Sequence, residues 1–270
     1  MWTIWQYELR MTLRQRSFYS LLLLWVTVLS LLFLLQSSTP SIEGYTSITA
    51  TIANVALYII PLFMLINGSF TVANELENGQ FRLISTYPLS SLLYISGKLG
   101  GQLVAQAAAF TMGFGISLAI GLFFGKGFSL EWMWAIYLFC IGLIFFFLLT
   151  GVTVGSFVRS RWQALTISVT IWFFLVMIWP TVLIGVLGHA PYTWVSPLMK
   201  AALFVNPAEF LRIILVIKLG AGAVFGQSYD ALVNMMEAPS SWGVIAVYCG
   251  GFLTAALLLS SIRLNRRKCQ

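Results

Sequence analysis

Charged residues are scarce in this sequence: Asp, Glu, Lys and Arg together make up only 9% of the 270 residues, whereas 59% are hydrophobic. A soluble globular chain carries about a quarter charged residues, so this composition excludes an ordinary soluble domain. The apolar residues stand in uninterrupted blocks, and the mean hydropathy is +0.90. The sequence therefore predicts an integral membrane protein.

Histidine and cysteine are also rare, with one His and three widely separated Cys. The single His189 excludes a histidine-built metal site, and the cysteines lack the spacing of a metal-ligand set or a disulfide framework. Neither a G-x-S-x-G nor an H-E-x-x-H motif occurs. The segment GLFFGKG at residues 121–127 differs from a phosphate-binding loop in its glycine spacing, and no Ser or Thr follows Lys126. We therefore expect no metal, no bound cofactor and no enzymatic activity in this chain.

Six apolar runs are each long enough to cross a bilayer, which takes about 20 helical residues. Backbone groups cannot hydrogen-bond to lipid, and the runs are continuous rather than alternating, so each is predicted to be a helix. The predicted spans are Phe18–Gln36, Ile52–Val72, Leu99–Phe124, Met133–Phe157, Ala164–Leu187 and Trp242–Ile262. The predicted fold class is an all-α integral membrane protein with six transmembrane helices in a single domain, residues 1–270.

The distribution of Lys and Arg predicts the orientation, because cytoplasmic loops carry an excess of both. With six spans, eleven of the fifteen basic residues fall on the side of the two termini and four on the other. They stand beside the apolar runs and form no stripe interleaved with aromatics, so nucleic acid is not an expected partner. Both termini are predicted to be cytoplasmic, in a plasma membrane of the bacterial inner-membrane type.

Residues 1–17 have the pattern of an amphipathic helix. Apolar and polar residues recur at helical spacing on two different sides: Trp2, Trp5, Leu9 and Leu13 against Gln6, Arg10 and Arg14. This pattern favours an interfacial helix in the cytoplasmic headgroup layer, in contact with membrane lipids. The alternative is a simple cytoplasmic extension of the first span.

The external segment, residues 189–241, contains a helix start. Asn206, Pro207 and Glu209 have the order of an N-cap, a first-position proline and an acidic first-turn residue. From there to Leu219 a helix is only about 20 Å long, shorter than the hydrocarbon core of about 30 Å. A seventh span would also place residues 263–268, a basic cluster, outside. A short external re-entrant or interfacial helix is therefore predicted.

Polar residues inside the spans are few. No acidic residue falls in the middle of a predicted span, which argues against an ion-coupled carrier. The third span is rich in Gly and Ala, and its small residues predict close helix packing. The alternative is a substrate path lined by Gln102 and Gln106.

Residues 73–98 separate the second and third spans and read ANELENGQFRLISTYPLSSLLYISGK. A turn is predicted at Asn78-Gly79, followed by a short amphipathic helix that ends before Tyr87-Pro88. A plain loop would not present large apolar residues repeatedly, so lipid or a protein partner is expected to cover them.

At these residues the sequence resembles the permeases of type-2 ABC transporters. Their segment after the second span carries an acidic residue, a Gly, a short apolar helix, T-x-P-[LI]-S and a Gly-Lys pair. The corresponding residues here are Glu75, Glu77, Gly79, 80–85, 86–90 and Gly97-Lys98. The TYPL form is most similar to the permease of the nitrous-oxide reductase (copper-processing) maturation system and its relatives. Ser91 stands where that family usually has Arg.

The resemblance implies a permease subunit of an ATP-driven transporter, with export as the expected direction. Its partners would be two copies of an ATPase subunit, which use ATP and Mg, and a second permease copy in a homo- or heterodimer. Residues 73–98 would be the cytoplasmic coupling segment, and residues 80–85 within it the coupling helix. The implied docking and transmission residues are Glu75, Glu77, Gly79, Arg82 and Pro88. The competing functions are a non-transporting membrane scaffold or assembly factor and an ion-coupled secondary carrier.

Overall fold

The computed structural model describes residues 2–14, 16–35, 41–42, 45–85, 90–125, 127–189, 191–222, 233, 236 and 241–268. These residues are almost entirely helical. The helices are α1 (Trp2–Arg14), α2 (Arg16–Leu35), α3 (Ser47–Glu77), α4 (Gln80–Ser85), α5 (Ser91–Phe123), α6 (Leu130–Phe157), α7 (Arg161–Trp172), α8 (Trp179–His189), α9 (Tyr192–Val205), α10 (Pro207–Lys218) and α11 (Ser241–Lys268).

Five helical segments are long and apolar enough to cross a membrane: Ser47–Glu77, Ser91–Phe123, Leu130–Phe157, Arg161–His189 and Ser241–Arg267. They coincide with the second to sixth predicted spans. The first predicted span corresponds to α2, and α1 with α2 makes a sixth crossing segment if the pair counts as one span. The axes of the two helices differ by 62°. A helical membrane protein with five to six spans is thereby confirmed.

Two short features were not predicted. A pair of two-residue parallel strands, β1 (Ser41–Ile42) and β2 (Gly127–Phe128), links the α2–α3 connection to the α5–α6 connection. Helix α9 precedes the predicted helix α10. Two-residue strands carry no periodicity, so the sequence offers no signal for them.

The centre of the bundle is the contact between α3 and α6, where the helices pack backbone against backbone. A Cβ added at Gly151 would lie 2.7 Å from the Leu65 carbonyl oxygen, and one at Gly155 would lie 2.5 Å from that of Ser69. On α3, a Cβ at Gly68 would lie 2.8 Å from the Leu148 carbonyl oxygen. Small residues at this spacing let two membrane helices approach closely, because dispersion contacts drive their association.

Helix α5 supports the two N-terminal helices. A Cβ added at Gly113 would lie 2.9 Å from the Trp25 Cβ of α2. Nearer the start of α5, a Cβ at Gly101 would lie 2.7 Å from the Trp5 carbonyl oxygen and 2.9 Å from the Glu8 Cβ. The glycines of α5 therefore allow α1 and α2 to pack closely against it. One side of α1 is covered by protein.

A π-helical segment, Phe173–Ile178, joins α7 to α8 just before Pro180. At its end the Trp179 N–H donates to the Phe174 carbonyl, five residues earlier. The same spacing would pair the Leu175 carbonyl with position 180, which is Pro180. Proline has no N–H to donate. The side-chain amide of Asn206 supplies the missing donor, with Nδ2 2.7 Å from the Leu175 oxygen. Asn206 thus supplies the hydrogen bond that Pro180 cannot make, and it also begins α10.

We expect Asn206→Ala to lower the free energy of unfolding by about 2–4 kcal/mol. Asn206 is fully buried, and its Oδ1 also accepts from the Ala208 N–H at 3.0 Å as the N-cap of α10. Losing a cap costs about 1 kcal/mol, and stranding a buried carbonyl costs about 1–3 kcal/mol. Asn206→Asp keeps the cap but not the donor to Leu175. Its thermal midpoint in detergent should fall between wild type and Asn206→Ala; an Asp variant as stable as wild type would refute the repair of the π segment.

Candidate coupling site

The connection between α3 and α5 stands at one end of the bundle. Helices of 31 and 33 residues are about 46 and 50 Å long, so part of each extends beyond a hydrocarbon core of about 30 Å. Gly79 makes the turn after α3 with a φ of 71°, a left-handed conformation in which glycine is favoured. Helix α4 follows at once. Pro88 lies outside the described residues, as does the side chain of Arg82.

Helix α4 has an inner and an outer face. The Phe81 side chain is only 5% exposed and packs edge-on against Tyr94 of α5, with ring centroids 5.8 Å apart. Leu83 points the other way and is 69% exposed. The six-residue helix is therefore fixed to α5 by an aromatic contact and presents a leucine outward.

Behind α4 lies a buried ion cluster that consists of Glu8, Glu75, Tyr94 and Lys98. The Lys98 side chain is 2% exposed, and its Nζ lies 2.6 Å from a Glu75 carboxylate oxygen and 3.3 Å from one of Glu8. The Tyr94 hydroxyl donates to the other Glu75 oxygen. The cluster joins α1, α3 and α5 through charge-assisted hydrogen bonds, which are the strong class of such bonds.

A second, exposed ion pair ties the α3–α4 turn to the start of α7. The Arg161 Nε lies 3.7 Å from a Glu77 oxygen, which also accepts the Arg161 backbone N–H at 2.8 Å. The Arg161 guanidinium reaches the Asn78 Oδ1 at 3.5 Å. Exposed pairs contribute little stability, so this contact fixes the position of the turn more than it stabilises the fold.

The two glutamines of the third span lie inside the bundle. Gln102 donates from Nε2 to the Thr71 hydroxyl at 2.7 Å and to the Asn67 carbonyl at 3.2 Å, which ties α5 to α3. Both glutamines are buried, and the Oε1 atoms of Gln102 and Gln106 have no hydrogen-bond partner among the described residues. A substrate path along them stays a prediction.

Away from α4, the structure places the three residues of the predicted helix start at the beginning of α10. Asn206 is the N-cap of α10, Pro207 is its first residue and Glu209 lies in its first turn. The Arg212 guanidinium lies 3.0 Å from the Glu209 carboxylate. Burial raises the pKa of Glu209, whereas Arg212 opposes that rise. In the part of the chain that the structure describes, no three His, Cys, Asp or Glu residues are grouped as a metal site.

A family model described as "ABC-2 family transporter protein" matches residues 2–268, nearly the whole chain. The chain belongs to the ABC-2 family of transporter proteins. Two curated relatives carry the name "Probable ABC transporter permease protein NosY". The one from Stutzerimonas stutzeri is 29% identical over 274 residues, covering 98% of each chain. The one from Pseudomonas aeruginosa is 27% identical over 288 residues, covering 94% of this chain and 95% of its own. The family and the apolar helices together make this a multi-pass membrane protein.

The site of this ABC-2 family member contains residues that the sequence predicted and others that it did not. Glu75, Glu77 and Gly79 lie at the turn, but Glu75 faces inward to Lys98 and Tyr94 rather than outward. Glu8 was not singled out at all. A signal for it existed: Lys98 directly precedes the third predicted span, and a lysine there needs an acidic partner when it is buried.

Proposed function

We propose that this chain is the permease subunit of an ATP-driven exporter and that a separate ATPase subunit docks on α4. The observation that carries the proposal is the two-sided α4, which has Phe81 seated on α5 and Leu83 exposed. The names of the two relatives support the permease role. ATP and Mg would be used by the ATPase, and this chain would supply the path across the membrane.

Motion of α4 would reach the spans by two contacts. The first is Phe81 on Tyr94, which leads directly into α5. The second is the ion cluster, in which Glu75 at the end of α3 holds Lys98 of α5, and Lys98 also holds Glu8 of α1. We therefore assign Glu75 to positioning the segment. Glu77 keeps the proposed charge contact to the ATPase together with Arg82, Gly79 makes the turn, and Pro88 gives the rigid exit.

We propose a complete transporter of two permease copies and two ATPase copies in a bacterial plasma membrane, with both termini cytoplasmic. The segment Arg161–His189 and helix α11 lie at the periphery of a single copy and are hardly buried by it. Large apolar side chains such as Phe173, Met177 and Ile184 are exposed there. Such a face suits lipid on one part and a second copy on another.

Leu83→Asp tests the proposed docking. We expect the variant to insert and fold as wild type does, because Leu83 is exposed, and to lose the ATPase subunit during purification from detergent. The co-purified chain is identified by mass spectrometry and recognised by a phosphate-binding loop. ATP hydrolysis by the purified complex is then measured, and we expect a loss of at least about tenfold, since a buried charge in a protein interface weakens binding by several kcal/mol.

The matched control is Leu130→Asp, which changes a leucine of similar exposure at the start of α6, away from α4. This variant should keep both the ATPase subunit and its activity. Retention of the ATPase by Leu83→Asp would contradict docking on α4. If the wild-type chain keeps its ATPase subunit but shows no ATP-driven transport in vesicles, the non-transporting scaffold would be the better function.

A further inference from the structure

A cluster of arginines surrounds the end of α6, on the same side of the bundle as the coupling segment. Arg267 of α11 donates from its guanidinium to the carbonyl oxygens of Phe157 at 3.0 Å and Val158 at 2.8 Å. One turn earlier, the Arg263 guanidinium lies over the Phe157 ring, 5.7 Å from its centroid. Arg159 follows Val158 in the chain, and Arg159 and Arg263 both repel Arg267 electrostatically. Three cations thus meet at one helix end.

Among the residues that the structure describes, no carboxylate balances this cluster. Across the described ranges, no carboxylate lies within 4 Å of Arg159, Arg263 or Arg267, whereas Arg161, Arg212 and Lys98 all have acidic partners. The Nε of Arg263 is buried and has no hydrogen-bond partner among the described residues. The Phe157 and Val158 carbonyls accept from Arg267, but among the described residues no acceptor reaches the Arg263 Nε. An unpaired buried donor is costly, so an anion at this place would lower the free energy of the assembly.

The apolar surface beside the arginine cluster favours a phospholipid over a small soluble anion as its ligand. Leu259 and Ile262 of α11 are 51% and 50% exposed and lie one turn before Arg263 and Arg266, at the i, i+4 spacing of one helical side. The C-terminal part of α11, from Leu259 onward, therefore passes from exposed apolar residues to basic residues. A small soluble anion would contact only the basic residues, whereas a phospholipid would contact the basic residues with its headgroup and the apolar residues with an acyl chain.

We propose that Arg159, Arg263 and Arg267 form a binding site for the headgroup phosphate of an anionic phospholipid, with an acyl chain along Leu259 and Ile262. Guanidinium groups match phosphate oxygens in a bidentate geometry, and basic pockets between transmembrane helices suit anionic headgroups. An acidic face of a protein partner would match the charge, but it would leave the adjoining apolar stripe uncovered. The site would hold the end of α11 against α6 next to the coupling segment.

The test is native mass spectrometry of the purified full-length chain in detergent, titrated with phosphatidylglycerol and, separately, with phosphatidylcholine. The variant R159Q/R263Q leaves the Arg267 contacts to α6 in place, so the fold should survive. We expect it to bind phosphatidylglycerol about thirtyfold more weakly than wild type, since each basic residue near an anionic lipid contributes about fivefold. Phosphatidylcholine should bind weakly to both proteins.

The control variant K200Q/K218Q removes the same charge from α9 and α10, away from the arginine cluster, and should keep phosphatidylglycerol affinity within about twofold. Equal loss in the control would overturn the site in favour of a general effect of net charge. Displacement of the lipid by millimolar inorganic phosphate would show a site for soluble anions instead. Unchanged lipid binding in R159Q/R263Q together with loss of the ATPase subunit would assign the arginines to the protein partner.

Discussion

Lys98→Met is expected to lower the free energy of unfolding by about 3–5 kcal/mol, which is a large part of the stability of a typical domain. The substitution keeps the length and apolar stem of the side chain but removes its charge. Glu8 and Glu75 would then face each other in a buried place without the cation that balances them. The thermal midpoint in detergent and the monodisperse fraction on size exclusion measure the effect.

Three further variants separate the charge effect from packing. Lys98→Arg keeps a cation and should retain most of the stability, although its planar group fits the two carboxylates differently. The triple variant Glu8→Gln/Glu75→Gln/Lys98→Met removes all three charges and should recover part of the loss, because neutral replacements of buried ions are often tolerated. Lys200→Met changes an exposed lysine and should leave the thermal midpoint unchanged. A normal midpoint for Lys98→Met would show that the cluster contributes no stability.

The double variant Gly151→Ala/Gly155→Ala is expected to cost about 2–6 kcal/mol and to separate α3 from α6. Each added methyl group would meet a backbone oxygen of α3, at 2.7 Å and 2.5 Å, and a backbone atom cannot rotate away as a side chain can. Overpacking costs about 1–3 kcal/mol for each substitution. Expression, detergent extraction and the thermal midpoint report the loss.

Gly115→Ala is the matched control, since Gly115 also lies inside a long apolar helix. A Cβ there would meet nothing within 4 Å. Alanine is the better helix former, so this variant should be neutral or stabilised by up to about 1 kcal/mol. If Gly151→Ala/Gly155→Ala and Gly115→Ala behave alike, the close α3–α6 contact has no energetic importance.

The long elements could be predicted from the sequence because each has a strong local cause. A run of about 20 apolar residues can only be a helix in lipid, and five of the predicted spans match the helices. The start of α10 was also predictable, since Asn206 and Pro207 are placed by cap chemistry that needs no distant partner. The turn at Gly79 follows equally from local backbone preference.

The partners of the polar residues could not be predicted, because they come from positions far apart in the chain. Lys98 meets Glu8, 90 positions away, and Ser91 donates to Asn265, 174 positions away. The amphipathic pattern of α1 indicated a helix that lies on lipid, yet Glu8 is buried against α5. A periodicity tells which residues share a side, but it does not tell whether lipid or protein covers that side.

The sequence by itself determined the class of protein, the spans and the place of the coupling segment, because the cost of unpaired backbone in lipid acts on each segment alone. Only the tertiary structure decided what each polar residue does. It places Glu75 against Lys98 and the Asn206 amide against the Leu175 carbonyl. Within the described ranges, it leaves Arg159, Arg263 and Arg267 without a carboxylate partner. Those outcomes depend on which helices pack together, and close packing joins residues that no local pattern relates.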